Sequence, residues 1–165
     1  CTKLVDGDHN PPKGENTKTE YIMGSSRNIN ENRLVDLDNA RYLSEENFIK
    51  IHNRTVVEKG DILFTSVGTL GRSCIFREDI NITFQRSVTV ISTKIFNEYL
   101  KFTLDAPWIQ KYVYNNAKGT AQKGFYLNQM EILLVPIAPL AEQKRIVEKI
   151  EELLPYTKQL VKKID

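Results

Sequence analysis

The residues best equipped for chemistry lie in one stretch, Lys118-Gly119-Thr120-Ala121-Gln122-Lys123-Gly124-Phe125-Tyr126-Leu127-Asn128. Two lysines, a threonine hydroxyl and glycine-rich backbone N–H groups suit phosphate oxygens, while Gln122 and Asn128 carry amides that suit nucleobase edges. An aromatic pair, Phe125-Tyr126, accompanies them. A plain connecting loop would need none of these groups. Lys118, Thr120, Gln122, Lys123, Tyr126 and Asn128 are therefore the first candidates for contact with nucleic acid. A second set comes from two shorter segments. Ser66-Val67-Gly68-Thr69-Leu70-Gly71-Arg72 has two glycines that permit a tight backbone and close approach of a ligand. It lacks the Gly-Lys-Ser/Thr ending of a phosphate-binding P-loop, so it reads either as a glycine-tolerant hairpin or as a contact loop. In Gln85-Arg86-Ser87, Gln can pair bidentately with adenine and Arg with guanine, although any surface turn could carry these residues. Ser66, Thr69, Arg72, Gln85 and Arg86 form this second set.

Groups that would make or break bonds are harder to find. His9 and His52 lie in different polar segments, with no Cys or His at ligand spacing. Glu78-Asp79 is not accompanied by the carboxylates and lysine of a nuclease centre and reads as a turn. No Gly-x-Ser-x-Gly elbow and no Cys–His pairing is visible. Asn10-Pro11-Pro12-Lys13 superficially resembles the Asn-Pro-Pro-aromatic motif of amino-methyltransferases. Lys13 stands where the aromatic would stack on the target base, and no Gly-rich cofactor loop follows a strand, so the segment reads as a rigid turn. No catalytic residue, metal or cofactor is expected.

Composition narrows the class. A chain of 165 residues suits one domain with an appendage, large enough to bury a core unaided. No apolar run approaches the ~20 residues of a membrane span and no signal peptide is visible. Two cysteines, Cys1 and Cys74, make no metal or disulfide framework, which fits a reducing, cytoplasmic setting. A first residue of Cys rather than Met reads as a piece of a longer chain; a lipoprotein would also begin with Cys, but nothing downstream resembles a flexible tether. The net charge of +2 excludes a general polyanion coater. Its distribution is uneven. Residues 1–61 carry 9 basic and 11 acidic side chains, residues 62–130 carry 8 and 4, and residues 106–130 hold Lys111, Lys118 and Lys123 with no acid. A local positive face on a nearly neutral protein suits a reader of a short site.

The elements that must position these residues follow from pattern. Residues 1–20 are rich in turn formers. Residues 20–23 and 33–37 read as short strands, and Ser44 caps a short helix. Ile62–Thr65, 73–77, 88–92 and Ile132–Ile137 read as strands. Asn97 caps a helix through Leu104, Pro107 starts another through about Asn116, and Gly119 stops it. Tyr99, Phe102, Trp108, Tyr112 and Val113 are expected to face the core. The fold class is α+β, a compact mixed domain over residues 1–138 followed by a long C-terminal helix over 139–165.

That helix is amphipathic. Pro139 pre-sets a helical φ and Glu142 lies in the first turn, where the dipole favours an anion. Gln143, Val147, Ile150, Leu154, Thr157, Val161 and Ile164 keep a 4-3 spacing, widened by Ile146, Leu153 and Leu160. Pro155 predicts a kink or brief break. The apolar stripe either folds back on its own domain or pairs with another helix through Val147, Ile150, Leu154, Val161 and Ile164.

The run VPIAPLAEQKRIVEKIEELLPYTKQL (residues 135–160) closely resembles the conserved helix region of specificity subunits of type I restriction–modification systems. DGDHNPPK (6–13), KGDILFTSVGTLGRSCIF (59–76) and KGTAQKGFYLNQMEILLVPI (118–137) resemble, in the family's order, its opening turn, its strand–loop–strand and its closing loop and last strand. The resemblance covers nearly the whole chain, and the helix is its most specific part. It implies a target recognition domain that reads one half of a bipartite double-stranded DNA sequence, joined to the central helix, which pairs with a second conserved helix as a spacer. It also implies that modification subunits dock on this scaffold and methylate adenine with S-adenosylmethionine, while a separate restriction subunit cuts; this chain would bind no cofactor and catalyse nothing. Two other readings remain open: the recognition domain of a single-chain restriction–methylation enzyme, and an assembly module whose helix is its working part.

Overall fold

The computed structural model describes residues 1–30, 32–120 and 122–161, with side chains described as far as Thr157. Its largest sheet has four antiparallel strands in the order β1 (Lys3–Asp6), β9 (Val88–Ser92), β6 (Ile62–Thr65), β7 (Ser73–Ile75). A second sheet has the order β5 (Arg41–Tyr42), β2 (Tyr21–Gly24), β8 (Asn81–Phe84), in which β2 and β8 run parallel. The ribbon β3 (Ile29–Asn30) and β4 (Arg33–Leu34) completes the β structure.

Strand β6 is buried along its whole length, and its period-2 alternation serves two cores. Ile62 and Phe64 join Ile91 beneath α2 (Asn97–Asp105) and α3 (Pro107–Asn116), with Leu100, Leu104, Ile109, Val113 and Phe125. Leu63 points the other way and meets Cys74, Val88, Val90, Ile82 and Phe84 between the two sheets. A continuously apolar strand is what burial on both faces requires. The short helix α1 (Glu45–His52) covers the second sheet through Phe48 and Ile51, and Ser44 caps it as expected, its Oγ accepting from Asn47 N at 3.4 Å.

Several expectations are corrected. Residues 1–20 are not all turns: Lys3–Asp6 pairs with β9, Lys3 opposite Ser92. Residues 33–37 shorten to the two-residue β4 and run into a 3-10 turn at Leu37–Asn39. Residues 132–135 keep an alternation, with Leu133 and Val135 on the core and Ile132 and Leu134 exposed, and Ile137 is exposed too; the segment forms no strand, because no strand among the described residues pairs with its backbone and Pro136 has no N–H to offer. Asn97 does not cap α2; its Nδ2 donates to Gly60 O at 2.8 Å. Trp108 is 53% exposed, because α3 buries its Ile109/Val113 stripe and leaves Trp108 and Tyr112 on the flank. The chain also forms a helical turn, α4 (Leu127–Met130), where only a loop was read.

The last helix, α5 (Leu140–Val161), runs through Pro155 without a break. Its first turns lie against α2. Gln143 is buried, its Oε1 accepting from Phe96 N at 3.0 Å and its Nε2 donating to Ala138 O at 2.7 Å. Val147 is only 4% exposed, so it is a core residue of this chain and not a free pairing position. Ile150 is half-buried, whereas Leu153, Leu154 and Tyr156 are exposed. The helix thus folds back over its first two turns and presents apolar side chains afterwards. Val161 lies on the described backbone only, and Ile164 lies outside the described residues.

Candidate nucleic-acid interface

Loops from five separate parts of the sequence meet at one end of the two sheets. The turn Gln85-Arg86-Ser87 links β8 in one sheet to β9 in the other, and three of the other loops bond to it. Arg86 N donates to Asp8 O at 2.8 Å, Gln85 N to Gly24 O at 3.1 Å, Ser66 N to Ser87 O at 3.0 Å, and Ser26 N to Ser87 Oγ at 3.0 Å. The fifth loop joins through Phe125, whose N–H donates to Ser66 O at 2.8 Å while its ring is sealed in the core. The turn's backbone is used internally, which leaves the Gln85 and Arg86 side chains outward.

The loop 118–124 is closed by two reciprocal 2.8 Å bonds between the backbones of Lys118 and Gly124. Gly119 has φ +114°, and a Cβ there would stand 2.3 Å from Gln122 O, so this turn requires glycine. Lys118, Thr120, Gln122, Lys123 and Asn128 are exposed, and Tyr126 is half-buried with its ring across Gly124. Lys123 Nζ sits 4.4 Å from the Tyr114 ring centroid, a cation–π contact that holds the ammonium at the surface. The Gln122 amide lies against Gly68, which also faces Ser26 Oγ, so the 118–124, 66–71 and 25–28 segments are neighbours.

The other candidates divide. Thr69 is exposed at the tip of its loop. Arg72 is exposed but turns toward the β3–β4 ribbon, its Nη1 donating to Ile29 O at 3.5 Å. Ser66 is corrected: at 1% exposure, with Oγ donating to Arg86 O at 3.4 Å, it binds the loops to one another and presents nothing to a ligand. Segments 25–28 and 36–41 were missed by the sequence reading. The only available signal was Ser25 followed by Asn28 after a strand, a local capping pattern that the structure realises: Ser25 N donates to Asn28 Oδ1 at 2.9 Å.

Several cations at this end make no direct ion pair. Arg27, Arg86, Lys118 and Lys123 form no ion pair among the described residues, while Asp8 is tied to Arg54 at 2.8 Å. Burial raises the Asp6 carboxyl above its ordinary range, opposed by its hydrogen bond from Thr89 and by nearby His9 and Arg86. No three His, Cys, Asp or Glu among the described residues group to hold a metal. Burial pushes the Cys74 thiol up to about 12, which keeps it protonated and inert. The arrangement is therefore suited to contact a polyanion with charge and amides.

Residues 11–165 match the family model for the type I restriction modification DNA specificity domain, and the chain belongs to that family. It is 34% identical over 134 residues to the type I restriction enzyme EcoBI specificity subunit of Escherichia coli, covering 79% of this chain and 28% of that protein. It is 31% identical over 125 residues to the putative type I restriction enzyme specificity subunit S.HindORF215P of Haemophilus influenzae (strain ATCC 51907 / DSM 11121 / KW20 / Rd), covering 72% of this chain and 31% of the relative. The chain thus spans less than a third of either curated relative. The crystal structure of the HsdS subunit from Thermoanaerobacter tengcongensis superposes with a TM-score of 0.66 at 13% identity, over 96% of this chain and 36% of that one. The type I restriction-modification S subunit from M. genitalium superposes with a TM-score of 0.62 at 13% identity, over 97% and 38%. At that identity the likeness concerns the fold, which is the α+β architecture expected from the sequence.

Proposed function

We propose that residues 1–138 form a target recognition domain that reads one half of a bipartite double-stranded DNA site, and that α5 is its spacer helix. The observation that carries this reading is the convergence of five loops at one end, with Arg86, Lys118 and Lys123 in no ion pair among the described residues and the amides of Gln85 and Gln122 beside them. Phosphate contacts set position and the amides and Arg86 read bases. The chain itself catalyses nothing and holds no cofactor. Modification subunits bound to the scaffold methylate adenine with S-adenosylmethionine, a restriction subunit joins through them, and the complex works in the cytoplasm. Among the described residues no helix is long and apolar enough to cross a membrane. The exposed Leu153, Leu154 and Tyr156 support pairing of α5 with a second conserved helix.

The test is a domain exchange. Residues 1–138 replace the first recognition domain of a complete type I specificity subunit, and adenine methylation is mapped across a genome. One half of the methylated motif is expected to change while the other half and the spacer stay. An assembled, active complex with an unchanged motif would show that these residues do not read sequence.

A further inference from the structure

Beside the Gln85 turn, a polar recess of about 290 Å³ opens between the turns Ser26–Asn28 and Leu37–Asn39. Arg27, Asp36, Asn39, Arg41 and Gln85 line it. Its geometry is built from beneath by buried Asn28. The Oδ1 of Asn28 accepts from Ser25 N at 2.9 Å, and its Nδ2 donates to Val35 O at 3.1 Å and Asp36 O at 3.2 Å. One side chain therefore sets the separation between the turn that bears Arg27 and the residue Asp36. Asp36 is left-handed at φ +53° and ψ +39°, a conformation uncommon outside glycine and held here by these bonds. Ser26 N on Ser87 Oγ and Gln85 N on Gly24 O tie the same unit to the Gln85 turn.

The chemistry of the recess is mixed. Arg27 forms no ion pair among the described residues. Arg41 uses Nη1 on Pro12 O at 2.8 Å, which orients its guanidinium. Asp36 Oδ1 accepts from Asn39 Nδ2 at 2.5 Å, which orients the carboxylate. A phosphate site gathers donors, and a carboxylate inside one would repel the ligand. The edge of a G·C pair presents both kinds of partner in the major groove: guanine O6 and N7 accept, and the cytosine N4 amino group donates.

We infer that this recess is a specificity-determining site for one G·C pair, with Arg27 donating to guanine and Asp36 accepting from cytosine. Asn39, which holds the Asp36 carboxylate, is a positioning residue. The inference rests on the reading of residues 1–138 as a DNA recognition domain and names residues that reading did not include.

The experiment maps adenine methylation by the complete specificity subunit carrying this domain, assembled with its modification subunits. Arg27→Ala, Asp36→Asn and Lys123→Ala are compared with the unsubstituted complex; Asn tolerates the left-handed backbone at position 36. Arg27→Ala and Asp36→Asn are expected to relax the same single G·C position, raising methylation of sites mismatched there about tenfold relative to the full motif. Lys123→Ala is expected to lower methylation at all sites alike. Uniform loss from Arg27→Ala, an unchanged map, or relaxation at different positions for the two variants would overturn the inference. If the domain exchange moves no half-site, the recognition reading itself fails. If the exchange succeeds and Arg27→Ala relaxes nothing, only the recess assignment fails.

Discussion

Gln122 and Lys123 are adjacent in one loop and are assigned different work. Both are exposed, but an amide can distinguish base edges, whereas an ammonium held over Tyr114 offers only charge. Gln122→Ala or Arg86→Ala should broaden the methylated motif at one position. Lys123→Ala should weaken binding to all sequences and reduce the slope of log affinity against log salt by about 1. Filter binding over a salt series, with matched and mismatched duplexes, separates the two behaviours. His52 carries a different consequence. Burial, with Lys3 nearby, holds its imidazole below the ordinary value of 6.5, and its Nδ1 is buried without a hydrogen-bond partner among the described residues. The folded state therefore resists a proton that the unfolded chain accepts. The stability this confers is complete above pH 6.5 and is lost as the pH falls through that value toward the depressed one. His52→Phe, which keeps a ring against Phe48 in place of the 5.0 Å stack, should shrink the drop in Tm between pH 7.5 and 5.5. Equal drops in both proteins would show that other groups govern this range.

At the scale of elements, the informative contact is the one that binds α5 to the domain. An Asn at position 97 reads as a helix cap from local sequence, yet the Phe96 N–H of α2 is satisfied by Gln143, 47 residues away. The same amide donates to Ala138 O, so one buried side chain caps one helix and secures the entry to another. Gln143→Ala leaves buried polar groups unpartnered and should cost about 1–3 kcal/mol of unfolding free energy, whereas Gln143→Glu should be worse because it exchanges the donor for a buried charge. Denaturant unfolding measures both. A loss within experimental error for Gln143→Ala would mean that water reaches Phe96 N and that α5 is held by Val147 and its apolar neighbours alone.

At the scale of the molecule, the two halves of α5 differ in exposure. Its first turns belong to the domain through Gln143 and Val147, while Leu153, Leu154 and Tyr156 stand exposed further along. Leu154→Asp should therefore abolish pairing with a second conserved helix in the assembled complex while shifting the domain's own stability by no more than about 0.5 kcal/mol. Size-exclusion chromatography of the complex, beside thermal unfolding of the chain, reads the two effects independently. Loss of both together would place Leu154 in the domain's core.

Local pattern alone determined the elements whose reasons are local. Pro107 starts α3, which runs to Asn116, Ser44 starts α1, and the apolar run Ile62–Thr65 reads as a strand. The helix signature at 135–160 carried the family. Tertiary structure decided what depends on partners distant in sequence. Residues 132–135 alternate like a strand but no strand among the described residues pairs with them, and Trp108 has an apolar ring but the buried face of α3 is taken by Ile109 and Val113. Ser66 has a hydroxyl suited to a phosphate, but the fold turns it inward to join two loops. Arg27 and Asp36 were invisible as a pair because they lie nine positions apart and the Asn28 amide, a through-space link, joins the segments that carry them. Propensity and periodicity act over a turn or two, so they specify elements; a recognition surface is assembled from loop ends, and only the packing of two sheets brings those ends together.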